Sequence, residues 1–451
     1  MEWFYICLLV VYVMVMFVFL KRPMYEAVGS AFILLCVIAG KTSSMGKYLL
    51  SAADTYLLFS IAAFIVFSLI FEKTGVINDL INIIVALVGR FTGGAGYVAL
   101  LTSAVMGTLC GSAPGTAAAV GVTVIPSMKK TGFSPELAAA VESASSCLGP
   151  IIPPAGAITA LYAFLEALYP GRYSFSQFWL LAWAVSFWFV MQRLVTLFFV
   201  VRKEHVKPIP KEDRLSVKQA IKTGWRSIIV PLVIFVPFLV DALCKEGFIT
   251  ARLGSAASGF TNILLTVIPS FASFIAVVIF LRSGRKFTAK DFFDLFRDNI
   301  SSIAPIIVMA YAGFAITALF NDIGIAEGIS RSLANVDFPL WFVAVVVPLI
   351  FTVLGMFIEP FSLIVMFGGI FIAMAAGVGI HPMLAAMMFD AMTCGLSPMT
   401  PPFALSQFVC MGIAESDFKK TSEKIVVWVA GHYALIVICL FGIVPMFGTL
   451  V

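Results

Sequence analysis

Long apolar runs separated by short polar or basic connectors make up most of this chain, and the runs are of the length that crosses a bilayer as helix. A hydrocarbon core of about 30 Å needs roughly 20 apolar residues per helix. Runs at 3–20, 27–40, 56–71, 175–201, 228–243, 260–281, 302–320 and 425–446 read as spans, and 76–90 as an amphipathic segment at the interface. Two stretches interrupt the pattern. Leu148-Gly149-Pro150-Ile151-Ile152-Pro153-Pro154 and Leu396-Ser397-Pro398-Met399-Thr400-Pro401-Pro402 each carry three prolines inside an otherwise apolar span. Proline removes a backbone donor and clashes with the preceding turn, so the helix must stop and restart.

The two stretches are 248 residues apart, and the offset holds further out. Gly107 and Gly355 share it, each in a second, Gly-rich interruption (107–116 and 355–362) between apolar segments too short for a comfortable crossing. Those segments read as re-entrant hairpins at 95–130 and 339–377, followed by broken helices at 135–168 and 382–413. Irregular backbone at membrane depth is tolerated only where it is buried or lines a cavity. The chain therefore divides into N-terminal helices (1–51), repeat 1 (52–168), connecting helices and a basic amphipathic connector (169–300), repeat 2 (301–413) and a last helix (414–451). Broken helices at matching places in two halves point to a transporter binding site.

Composition agrees, with 61% hydrophobic and 12% charged residues, against roughly 45–50% and about 25% in soluble domains. The fold class is an all-α polytopic membrane protein with two inverted repeats. Alternating the spans with Lys21-Arg22 inside leaves only Lys41, Lys47, Arg172, Lys245, Arg252 and Arg331 outside and Arg193 within a span. The other basic residues fall inside, as positive-inside requires, and both termini come out periplasmic. The basic clusters at 202–226 and 282–297 suit topology setting and anionic headgroups, so the net charge of +5 carries no nucleic-acid reading. Because Lys21-Arg22 follows the first run, that run reads as a retained span, not a cleaved signal. The eight cysteines form no disulfide or Cys-x-x-Cys pattern.

Gly111-Ser112 to Thr116-Ala117-Ala118-Ala119, Ile125-Pro126-Ser127-Met128-Lys129-Lys130, Gly149-Pro150-Ile151-Ile152-Pro153-Pro154, Gly355-Met356-Phe357-Ile358-Glu359-Pro360 and Thr400-Pro401-Pro402 occur in this order. In them the chain resembles the large membrane subunit of TRAP (tripartite ATP-independent periplasmic) transporters, nearly end to end. It differs from the usual motifs at Ala113-Pro114, Cys147, Glu359 and 251–254. The resemblance implies a sodium-coupled, elevator-type importer of a small organic anion in a bacterial inner membrane. It also implies two partner polypeptides, a small membrane subunit and a periplasmic substrate-binding protein.

Na+ is a hard cation that favours oxygen ligands. The expected ion ligands are Gly111, Ser112, Thr116, Ser145, Pro153, Gly355, Glu359, Ser362 and Thr400, with Thr393 nearby. Expected substrate contacts are Ser146, Pro154, Gly156, Ser397 and Pro402. The plainer alternative is that the hydroxyls cap hairpin helices or hold helices together, and that Glu359 caps the helix after it. Glu142 and Asp390 occupy one repeat position, and intramembrane carboxylates are functional by default; partial exposure at a cavity or a local hydrogen bond is the plain alternative. Arg193 is expected to snorkel or pair. His205, His381 and His432 show no metal-ligand spacing. Competing functions are a stand-alone carboxylate carrier or Na+/H+ antiporter of the same inverted-repeat class, and an intramembrane enzyme. Against the enzyme, the chain has no HExxH and no Gly-x-Ser-x-Gly with a partnering histidine.

Overall fold

The computed structural model describes residues 2–450 except 111, 154, 245–247, 255–256, 325–337, 357, 359 and 402–403. Among the described residues the protein is all helix. It begins with α1 (Glu2–Met14), a π-helical continuation (Val15–Phe19), α2 (Met24–Ile38), α3 (Met45–Ala53), α4 (Tyr56–Thr74) and α5 (Val76–Val88). Gly75, at φ 69°, ends α4 in the left-handed conformation that glycine adopts without steric cost.

The first hairpin follows as α6 (Gly94–Cys110) and α7 (Ala113–Lys130). Ser112 caps α7 by accepting from the Gly115 amide, with Pro114 in the first turn. The first broken span is α8 (Pro135–Ser146), a 3-10 turn (Gly149–Ile151) and α9 (Gly156–Leu168). A Ser174–Gln177 capping box then starts α10 (Phe175–Lys203). The central elements are α11 (Val217–Gly224), α12 (Ile229–Cys244), α13 (Thr250–Leu253), α14 (Ala257–Arg282) and α15 (Ala289–Asp322). Here the structure differs from the sequence expectation, because α15 is 34 residues long and begins well inside the basic connector. A Thr288–Asp291 capping box nucleates it there.

The second repeat closes the chain. A π-helical turn (Phe342–Val346) leads into α16 (Val347–Gly355) and α17 (Pro360–Gly377). The second broken span is α18 (Pro382–Asp390), a π-helical stretch (Ala391–Leu396), a 3-10 turn (Ser397–Met399) and α19 (Leu405–Ala414), after which comes α20 (Phe418–Leu440). Six stretches among the described residues are long and apolar enough to cross a membrane, Pro135–Leu168, Phe175–Lys203 and Pro360–Gly377 among them.

Two contacts fix how the repeats lie. Lys129 Nζ, at the base of the first hairpin, donates to Ala414 O at the end of the second broken span, at 3.0 Å. His381, at the base of the second hairpin, stacks edge-on against Tyr173 just past the first broken span, with centroids 5.4 Å apart. Each broken span thus begins beside the end of the other, and the repeats are inverted. The spans lie at the centre of the fold, where every residue of α8 from Leu137 and of α18 from Met383 is buried. In α8 alanines and serines permit this, because small side chains let neighbouring backbones approach on all sides, whereas α18 buries methionines, a leucine and a phenylalanine in the core.

Candidate transport site at the paired breaks

Each hairpin tip is pressed against the break of its own repeat. A Cβ on Gly107 would overlap the Gly149 backbone, and a Cβ on Gly149 would overlap Gly107. In the second repeat a Cβ on Gly355 would collide with the Ser397 side chain. These are the same two positions 248 residues on, so sequence register and geometry coincide.

The expected ligands divide into four groups. Gly111, Glu359, Pro154 and Pro402 lie outside the described residues. Ser145, Ser146, Thr393 and Thr400 are buried at the breaks and donate to carbonyls of their own helices: Ser145 to Val141 O at 2.6 Å, Ser146 to Ser143 O at 2.9 Å, Thr393 to Phe389 O at 2.7 Å and Thr400 to Leu396 O at 2.7 Å. Thr116 does the same at the first tip, to Ser112 O at 2.8 Å, and Ser397 bonds Met392 O at 3.4 Å. Ser362 instead faces the Met309 sulfur at 3.2 Å. Pro153 is buried beside the first break, and Gly156 opens α9. A hydroxyl that gives its proton to its own helix keeps its lone pairs for another partner. This geometry suits a cation ligand and equally serves as helix back-bonding.

Of the two plain alternatives for the intramembrane carboxylates, partial exposure at a cavity is not what the structure has, and a local hydrogen bond is found at Glu142. Glu142 and Asp390 are both fully buried. Glu142 Oε1 accepts from Ser103 Oγ at 2.7 Å, while Oε2 has no hydrogen-bond partner among the described residues. Asp390 meets the thiol of Cys394, a weak donor one turn later.

Arg193 does not snorkel: it is fully buried, and the groups it pairs with lie at the breaks. Its Nε donates to Ala144 O at 3.1 Å, and Nη2 contacts His432 Nδ1 at 2.8 Å. His432 Nε2 lies 2.9 Å from Ala391 O, which can only accept, so the proton sits on Nε2 and Nδ1 accepts from Arg193. The only sequence signals for this pair were one arginine and one histidine, each alone in an apolar span. Ser186 adds a third support by donating to Ile151 O at 3.0 Å.

Both second half-helices begin without a side-chain cap. The N-cap positions are Ala155 for α9 and Ala404 for α19, leaving the first amides unpaired with any capping side chain. The first half-helices end at the breaks, where carbonyls carry the negative end of the helix dipole.

The family model described as "Tripartite ATP-independent periplasmic transporter, DctM component" matches residues 5–447. The chain belongs to this family. It is therefore the large membrane permease subunit of a secondary transporter for organic acids, not an enzyme, and TRAP large permeases work with a small membrane subunit and a periplasmic binding protein. The permease is 26% identical over 438 residues to the C4-dicarboxylate TRAP transporter large permease protein DctM of Vibrio cholerae, covering 90% of this chain and 88% of that one. It is 21% identical over 430 residues to the sialic acid TRAP transporter large permease protein SiaM of the same organism, covering 94% and 92%. Among solved structures, the YdaH transporter of Alcanivorax borkumensis shares the fold at a TM-score of 0.61 and 16% identity, over 91% of this chain and 90% of that one.

Proposed function

We infer that this permease imports a small carboxylate by sodium symport, receiving it from a periplasmic binding protein and working beside a small membrane subunit in the bacterial inner membrane. One observation carries the reading: two interrupted spans meet antiparallel at the centre, each presenting a carbonyl end and an uncapped amide end. Carbonyl ends favour a cation and amide ends favour an anion. Sodium then binds near Ser112, Thr116 and Ser145 in one repeat and near Ser362 and Thr400 in the other. The carboxylate meets the amides that open α9 at Gly156 and α19 at Leu405. The relatives named for C4-dicarboxylate and sialic acid support an acid as cargo. Hairpins and broken spans travel together in an elevator motion, with both termini periplasmic.

Proteoliposomes holding the permease and its small subunit test this. Uptake of the acid is expected only with an inward sodium gradient and with the binding protein outside. Full uptake without the binding protein would establish a stand-alone carrier, and uptake indifferent to sodium would remove the coupling ion.

A further inference from the structure

The Arg193 guanidinium is the one buried cation at the breaks among the described residues, and its surroundings are unusual. Its five N–H groups meet five acceptors: Ala144 O, Gln192 Oε1 at 2.7 Å, Trp428 O at 3.4 Å, Met399 Sδ at 3.4 Å and His432 Nδ1. None is an acid. The hydrogen-bond geometry is complete but the charge is unpaired, and a buried charge without a counter-ion is strongly unfavourable unless something else offsets it. Neutral residues of similar volume would fill this space without that cost. Nor can Arg193 touch a bound molecule, since every donor is spent within the protein.

Its position explains the charge. Ala144 belongs to the last turn of α8, and Ala391, reached through His432, follows the last residue of α18. Ala144 O is at the carbonyl end of the first broken span, where the helix dipole favours a cation, and Ala391 O opens the π-helical stretch that leads into the second break. The guanidinium and its histidine occupy one carbonyl in each repeat.

The geometry points to Arg193 as the fixed countercharge of the paired breaks, a positioning residue that weakens cation binding there and favours the anion bound with it. The inference rests on the sodium reading above. A site that must fill on one side and empty on the other cannot hold its ion too tightly, and a resident positive charge sets that limit. For a separation on the order of 10 Å and an effective dielectric near 20, a unit charge changes the affinity of a monovalent ion by roughly tenfold.

The experiment is a sodium titration of purified permease by thermal shift, with choline chloride holding ionic strength constant. Three variants separate charge from structure. Arg193→Gln removes the charge; Arg193→Lys keeps it and loses the fork. Gln192→Glu keeps Arg193 in place and sets a carboxylate against its Nη1, with the Thr196 hydroxyl free to turn toward the new oxygen. Arg193→Gln and Gln192→Glu are expected to lower the sodium midpoint by roughly tenfold, whereas Arg193→Lys keeps it within about twofold. A purely structural Arg193 predicts lower melting temperatures with unchanged midpoints, and that result overturns the inference. If Arg193→Gln does not fold, Gln192→Glu decides alone. A wild-type protein that does not respond to sodium sinks the sodium reading and this inference with it, whereas a wild-type response with unmoved variants sinks only this inference.

Discussion

Gly107 lies backbone to backbone against Gly149, and 248 residues later Gly355 faces the hydroxyl of Ser397. The same contact is thus made twice, once with no side chain in it and once with one. The tip of each hairpin is held to its break by the absence of a Cβ, which accounts for a glycine at each tip.

The asymmetry gives a graded prediction. Gly107→Ala meets backbone that cannot turn aside, so it is expected to cost about 1–3 kcal/mol of stability, the usual range for overpacking, and to abolish uptake. Gly355→Ala meets the hydroxyl and Cβ of one serine and no backbone, and is expected to cost less. Adding Ser397→Gly should restore the melting temperature of Gly355→Ala. Equal losses in the two single variants, or no rescue in the double, would show that the tips are not packed on the breaks as described.

The hydroxyls give a second test. Ser112 caps α7, so Ser112→Ala is expected to lose about 0.5–2 kcal/mol, read as a lower melting temperature. Thr116→Val and Thr400→Val keep the shape of the side chain and lose only a bond to their own helix. Both should melt within a few degrees of wild type while requiring more sodium for half-maximal uptake. Unchanged sodium dependence in both would make these hydroxyls helix supports and nothing more.

How far the sequence reaches can be judged from particular elements. The breaks at 148–154 and 396–402 were legible because proline leaves the helix no alternative. The π-helical stretch Ala391–Leu396 was not, since Ala391-Met392-Thr393 holds no helix breaker. The start of α15 was readable and passed over: Thr288 and Asp291 have the spacing of a capping box. The fixed offset paired Glu142 with Asp390, but only the assembled bundle reveals that both are fully buried. Arg193 and His432 are 239 residues apart on different helices, and no periodicity joins them.

Inverted topology predicts opposite accessibility. Lys130 and Gly377 are exposed at the bases of the two hairpins, and nothing lies within 4 Å of a Cβ at Gly377. Single cysteines at these positions, in a background without the native ones, should react with a membrane-impermeant maleimide from opposite sides, Lys130→Cys from the cytoplasm and Gly377→Cys from the periplasm. Labelling of both from one side contradicts the orientation of the repeats.

His381 supplies a pH test outside the spans. Burial first, and the Arg172 charge second, hold its imidazole below the ordinary value of 6.5, and its Nδ1 is buried with no hydrogen-bond partner among the described residues. Protonation in the folded state would place a new N–H there without an acceptor and a second charge near Arg172. In the unfolded chain His381 titrates normally, so below pH 6.5 the unfolded state takes up the proton before the folded one does. Stability from this group is therefore complete above pH 6.5 and is lost as pH falls toward the depressed folded value. Melting temperature measured between about pH 7.5 and 5 should fall more steeply for wild type than for His381→Gln, whose side chain does not titrate. Arg172→Gln should give an intermediate slope, because it removes the lesser of the two causes. Parallel curves for wild type and His381→Gln would mean that His381 is as free to protonate in the fold as in the open chain, and that its contact with Tyr173 is not the closed junction between the two repeats described here.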